Sequence, residues 1–237
     1  MKSVNLGLVK YVSSLLAVFG ILCSAAAHAN VIADSVADFS ASQGNNGWYY
    51  GYSSGDYLTY NGELTLFNDY VSSAYFDTSV GSGYHAKWEN SGGGLWTQLW
   101  ADGGHPNATN SNDVSQVAVR RWVSNVNGNV LLDGVLADMH WGTGDGVGGA
   151  IYVDGNRIWD ALIADGGNTT FSLAVALQSG SNIDFVLGAN QNDYTDSSLF
   201  TAQISSPSAV PLPAALPLML SGLGVLGFAT HRRKETV

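Results

Sequence analysis

The sequence predicts an all-β fold, a two-sheet β-sandwich or jelly roll, flanked by an N-terminal signal peptide and a C-terminal single transmembrane helix. Three observations predict it. Short runs that alternate apolar and polar residues recur between positions 30 and 209, each bounded by turn residues. No stretch there holds a helical period. The composition is rich in Gly (29 residues) and in aromatic side chains (11%), and all seven Trp fall between the two apolar ends.

The strands follow in order. Leu58-Thr59-Tyr60 and Leu64–Phe67 flank Asn61-Gly62, a dipeptide suited to a tight hairpin turn. Gln116–Val123 and Val130–Ala137 read as strands. Ala150–Val153 and Arg157–Trp159 flank Asp154-Gly155-Asn156 and read as a second hairpin. Thr169–Leu177 alternates cleanly, with Phe171, Leu173, Val175 and Leu177 on one face and Ser172 and Ala174 on the other. Ile183–Leu187 and Leu199–Ile204 complete the set. Regular spacing of this kind suits a sandwich or jelly roll.

The two ends read as addresses. Lys2 and Lys10 precede an apolar run from Val12 to Leu22, and Ala27-His28-Ala29 puts small residues at the positions that a signal peptidase reads. Cleavage is expected after Ala29, giving a signal peptide over 1–29. The lone Cys23 lies inside it with Leu22 before it, where a lipoprotein signal wants a small residue. The mature chain then has no disulfide, although export would permit one. At the other end, 210–237 opens on Val210, Pro211, Leu212 and Pro213. It continues through about one membrane thickness of apolar residues and closes on Arg232, Arg233 and Lys234. The basic residues fix the cytoplasmic end. The chain is thus expected to sit in the inner membrane by its C-terminal helix, with 30–209 exported.

The C-terminal pattern resembles the PEP-CTERM sorting signal of Gram-negative bacteria. Val210-Pro211-Leu212-Pro213-Ala214-Ala215, the Leu-rich segment with Ser221-Gly222-Leu223, and Arg232-Arg233-Lys234 carry the resemblance. Leu212 stands where the family's name-giving Glu would be. The resemblance implies recognition by an exosortase, a membrane-embedded cysteine transpeptidase. It also implies processing near the Pro-containing motif and delivery to the cell surface or the extracellular space, often in exopolysaccharide-producing species. The middle of the chain resembles a β-sandwich module of bacterial exported proteins that is similar to carbohydrate-binding jelly rolls. The segments that carry this are Asp38-Phe39-Ser40, Gln43–Tyr52, His105-Pro106, Ala118–Trp122, Asp145-Gly146-Val147 and Ile183-Asp184-Phe185. That resemblance implies sugar binding.

Between 30 and 209 only Lys87, Arg120, Arg121 and Arg157 oppose sixteen Asp and two Glu, a net charge of about −14. Nucleic-acid binding is excluded as a role, since phosphate contacts need clustered Lys and Arg. Acidic surfaces suit divalent cations and neutral sugars.

Three clusters carry candidate chemistry. Trp48 and Tyr50, in Asn45–Tyr52, either display rings for a sugar face to stack on or alternate into a core. His105 and Arg121 either line a cleft or serve the fold. On a strand, Arg121 shares a face with Val117, Val119 and Val123 and then needs a carboxylate partner, whereas Trp122 shares the other face with Ala118 and Arg120. Trp141 lies in the Asp-rich loop Asp138–Asp145, and Asp193 and Asp196 lie in Asn190–Asp196. Such loops either turn the chain or offer oxygen ligands to Ca²⁺. Catalytic motifs are missing from the sequence. The leading expectation is a non-enzymatic protein of the cell surface or biofilm matrix that binds extracellular polysaccharide. The alternatives are a polysaccharide lyase or hydrolase, with Tyr50, His105 and Arg121 supplying base and charge neutralisation, and a purely structural surface protein.

Overall fold

Apolar alternation along the chain does build two antiparallel sheets, face to face. The computed structural model describes residues 29–76, 83–91, 94–140 and 142–207. Ala27, Trp141, Val210–Pro213, Arg232–Lys234 and the expected C-terminal helix lie outside the described residues. Among those described, no helix is long and apolar enough to cross a membrane. Asn30–Pro207 form one compact unit.

The strands are β1 (Val31–Asp34), β2 (Trp48–Ser54), β3 (Thr65–Leu66), β4 (Asp69–Phe76), β5 (Gly83–Glu89), β6 (Gln98–Trp100), β7 (Gly103–His105), β8 (Gln116–Val123), β9 (Gly128–Asp138), β10 (Val147–Val153), β11 (Asn156–Ile163), β12 (Asn168–Leu177), β13 (Asn182–Ala189) and β14 (Ser198–Ser205). The larger sheet runs β12-β9-β14-β7-β6-β5-β4, with β1 also on β14. The smaller sheet runs β11-β10-β13-β8-β2-β3. The β10–β11 hairpin turns at Asp154 and Gly155, both at positive φ (49° and 78°), the primed-turn geometry that matches strand twist.

The core lies between the sheets. β12 contributes Phe171 and Leu177, β9 Leu132 and Leu136, β14 Phe200 and Ile204, β13 Ile183, Phe185 and Leu187, and β8 Ala118 and Trp122. Phe171, Phe185 and Phe200 meet one another with ring centroids 5.9–6.4 Å apart. The smaller sheet also buries its outer face. Tyr57, Tyr60 and Leu64 pack there on Val117, Val119, Ala150, Tyr152 and Val186.

That second cluster corrects one expectation. Leu58-Thr59-Tyr60 does not form a strand. It belongs to a loop, residues 55–64, laid across the outer face of the smaller sheet, and only Thr65–Leu66 of the expected hairpin pairs, with β2. Tyr57 sits in a notch cleared by two glycines. A Cβ on Gly148 would overlap the Tyr57 ring, and one on Gly188 would lie 2.9 Å from it.

Candidate functional site

Trp48 and Tyr50 are core residues, which corrects their expected place on a sugar-facing surface. Both are fully buried. β2 lies between β8 and the two-residue β3, paired to β8 with Trp48 opposite Trp122 and Tyr50 opposite Arg120. The strand therefore sends alternate aromatics inward. The polar residues around them serve the same end. Gln43 accepts from the Tyr50 N–H and donates to the Tyr50 carbonyl, both at 2.8 Å, as a neighbouring strand would. The Trp48 indole donates to Asp38, Trp122 to the Asn46 carbonyl and Trp88 to the Ser40 carbonyl. The segment 38–52 is thus built into the fold through its indoles and the Gln43 amide, while the Tyr50 hydroxyl is buried without a hydrogen-bond partner. Burial pushes the Tyr50 hydroxyl up to about 12.

Arg120 was not singled out in the sequence, yet it is the buried cation of the core. Its guanidinium donates to the carbonyls of Ser35, Trp100 and Gly103 and lies 5.9 Å from the Tyr50 ring centroid. Burial holds it down to about 10. Arg121, the next residue, points to the opposite face. It forms a fork on Asp184, Nε to Oδ1 at 2.6 Å and Nη2 to Oδ2 at 2.7 Å, and Nη2 also donates to the Gly62 carbonyl at 2.7 Å. Tyr60 donates to the same carboxylate at 3.1 Å. The hydrogen bond that Arg121 donates to Asp184 raises the Arg121 pKa, and burial followed by the Asp184 charge raises Tyr60. Arg121 therefore clamps the 55–64 loop to the sheet and does not line a cleft. His105, on β7, is buried as well. Its Nδ1 donates to the Pro106 carbonyl at 2.6 Å, and burial lowers its pKa. Tyr50 and Arg121 sit on opposite faces of one sheet and His105 on the other sheet, so the lyase constellation does not assemble.

The Asp-rich loops meet at one end of the sandwich, and here the carboxylates differ. Asp193 is engaged: it accepts from the Ala108 N–H at 3.1 Å and from Asn110 Nδ2 at 2.7 Å. Asp138 accepts from the N–H groups of His140 and Gly166, and Asp165 from that of Gly142. Asp196 is fully buried with neither carboxylate oxygen paired, and Asp145 Oδ1 is likewise buried and unpaired. Burial, then Asp145, Asp138, Asp193 and Asp165, push Asp196 up to about 9. Among the described residues, no three His, Cys, Asp or Glu side chains converge as a ready-made metal centre.

A groove of about 600 Å³ runs along the outer face of the larger sheet. β9 contributes Asp133, β12 Thr170 and Ser172, and β14 Thr201 and Gln203, with Asp34 at the β1 side. These are the outward partners of Leu132, Phe171 and Ala202, so the alternation that builds the core also builds the groove. Gln203 Nε2 donates to Asp34 at 3.2 Å and ties two of the walls. The groove presents hydroxyls, an amide and two carboxylates beside the apolar Val36 and Val135. Isolated Thr and Ser on a strand look like ordinary solvent-facing positions, so the sequence carries no local sign of the groove.

The family description "PEP-CTERM protein-sorting motif" matches residues 209–234. The chain carries a PEP-CTERM sorting motif. The motif marks an exported, exosortase-processed surface protein, and it spans the Pro-containing segment, the apolar stretch and the basic residues at the end of the chain. No curated protein matches the chain. Solved structures similar to this chain include a family 35 carbohydrate binding module from Clostridium thermocellum, at 11% identity over 59% of this chain and 92% of that one, TM-score 0.31. A CBM35 from Paenibacillus barcinonensis matches at 12% identity over 68% of this chain and 98% of that one, TM-score 0.28. A β-glucosidase from Kluyveromyces marxianus in complex with glucose matches at 12% identity over 76% of this chain but only 18% of that one, TM-score 0.32. At these TM-scores the likeness carries no inference about a ligand.

Proposed function

We propose that this is a surface-delivered protein, cut by a signal peptidase and then by an exosortase at its PEP-CTERM motif, whose β-sandwich binds extracellular polysaccharide without catalysis. The groove on the larger sheet is the binding surface. The observation that carries this is its lining: Asp34, Asp133, Thr170, Ser172, Thr201 and Gln203 place donors and acceptors along an open channel. Sugar hydroxyls both donate and accept, so a row of hydroxyl, amide and carboxylate groups fits them, whereas an apolar pocket would not. Sorting to the surface brings such a groove to the polymers outside the cell.

The test is retardation of the protein in gels cast with the host's own exopolysaccharide. The expected result is slowed migration, reduced by Asp133→Ala with Thr170→Ala, with the polymer unchanged in length. Unretarded migration contradicts binding, and shortening of the polymer contradicts the non-catalytic reading.

A further inference from the structure

Burying a carboxylate without a partner is costly, because the charge loses its hydration and gains nothing in return. Asp196 stands in that position, at 0% exposure and with both oxygens unpaired. Asp145 adds a third buried, unpaired oxygen, Oδ1, while its Oδ2 accepts from the Gln191 N–H at 3.1 Å. The two residues come from different loops that the fold presses together. The Asn190 side chain donates to the Asp145 carbonyl at 3.1 Å. A Cβ on Gly144 would lie 2.6 Å from both Thr195 Oγ1 and the Tyr194 carbonyl, so only a glycine lets the first loop approach the second this closely. Thr195 itself is held at φ 62°, the left-handed region that a β-branched residue avoids.

From this geometry we infer that Asp196 and Asp145 form the side-chain half of a Ca²⁺ site that joins the 142–146 loop to the 190–196 loop. The donors are all hard oxygens, which suits calcium or magnesium and no thiolate- or imidazole-seeking metal. Calcium fits better. It accepts six to eight oxygens in irregular geometry, including backbone carbonyls and water, whereas magnesium demands a near-ideal octahedron. Two carboxylates with the rest from backbone and water match a site in which three acidic side chains do not converge. Asp138, Asp165 and Asp193 keep their N–H partners and add negative field around the ion. The site is independent of the groove and of any sugar.

The experiment uses the full-length chain in detergent, stripped with chelator and titrated with CaCl₂. Thermal midpoint and calorimetric binding are the readouts. The expected result is one bound ion per chain and a rise of several degrees in midpoint at saturation. Asp196→Asn, whose amide is neutral, folds in calcium-free buffer and shows no rise with calcium. Asp145→Asn weakens calcium binding at least tenfold, and it provides the comparison should Asp196→Asn be poorly folded. A wild-type midpoint indifferent to calcium, or Asn variants that bind as tightly as wild type, overturns the assignment and leaves Asp196 a buried neutral acid.

Discussion

The outer faces of the two sheets are treated in opposite ways. The smaller sheet is covered by the 55–64 loop, with Tyr57 in its glycine notch and Tyr60 and Arg121 locked onto Asp184. The larger sheet keeps its outward Thr, Ser, Asp and Gln side chains along a groove. Polar groups appear on both faces, but on the covered face each is consumed by a partner within the fold. The difference teaches that a charged residue on a strand can serve the fold alone, as Arg121 does; in the groove Asp34 is likewise tied by Val36, Ala37 and Gln203, and Asp133 is the carboxylate that the groove offers. Arg121, which in the sequence could either line a cleft or serve the fold, serves the fold. Asp133 and Thr170 looked ordinary and line the open surface.

The largest expected effect is on the covered face. Arg121→Ala leaves the buried Asp184 carboxylate with the Tyr60 hydroxyl but no cation, and Asp184→Ala strips Arg121 of its counter-charge; each should cost about 3–5 kcal/mol in urea unfolding. The double variant Arg121→Met with Asp184→Leu should recover much of that loss. Equal losses in single and double variants would show that the clamp acts by more than charge pairing. Next, Gly148→Ala drives a methyl into the Tyr57 ring and should cost about 1–3 kcal/mol, with faster proteolysis in the 55–64 loop. An unchanged midpoint would mean that the loop is not seated there.

His105 gives a smaller, pH-dependent effect. Its folded pKa lies below the ordinary 6.5 through burial, with His140 adding to the depression and Asp193 opposing it. The unfolded chain therefore takes up the proton first as pH falls. Stability is full above about pH 6.5 and declines from there toward the lower folded value, with a slope of up to about 1.4 kcal/mol per pH unit. Unfolding curves between pH 7.5 and 5 should show this decline, and His105→Gln should flatten it. A His105→Gln profile as steep as wild type would assign the decline to other groups.

Much of this division was legible in the sequence and part was not, for physical reasons. β9, β12 and β14 follow from alternation, since one face of each packs on the core, whereas β8, β10 and β13 read as apolar runs because both of their faces are covered. β8 itself posed a choice between an inward Trp122 and an Arg121 among valines. Both hold, because the covering loop buries the second face of that strand. β6 and β7 are three residues each, and Gly103-Gly104 reads as a turn, yet a Cβ on Gly103 would collide with the Ser198 carbonyl of the adjacent strand. Leu58-Thr59-Tyr60 mimics a strand in composition alone, for Tyr57 and Tyr60 are the residues that the loop buries and Leu58 between them is exposed. Trp48 and Tyr50 gave no local sign of which way they face, and the indole partners supplied by 38–46 become visible only in space.

The smallest expected change in stability accompanies the most direct test. Thr170→Trp, which fills the groove, and Leu162→Trp, at an exposed position on the other sheet, should each stay within about 0.5 kcal/mol of wild type. The dissociation constant for the host's exopolysaccharide is then measured by calorimetry on all three proteins. The account predicts binding by wild type and Leu162→Trp and its loss in Thr170→Trp. Equal affinity across the three would contradict the groove as the binding surface.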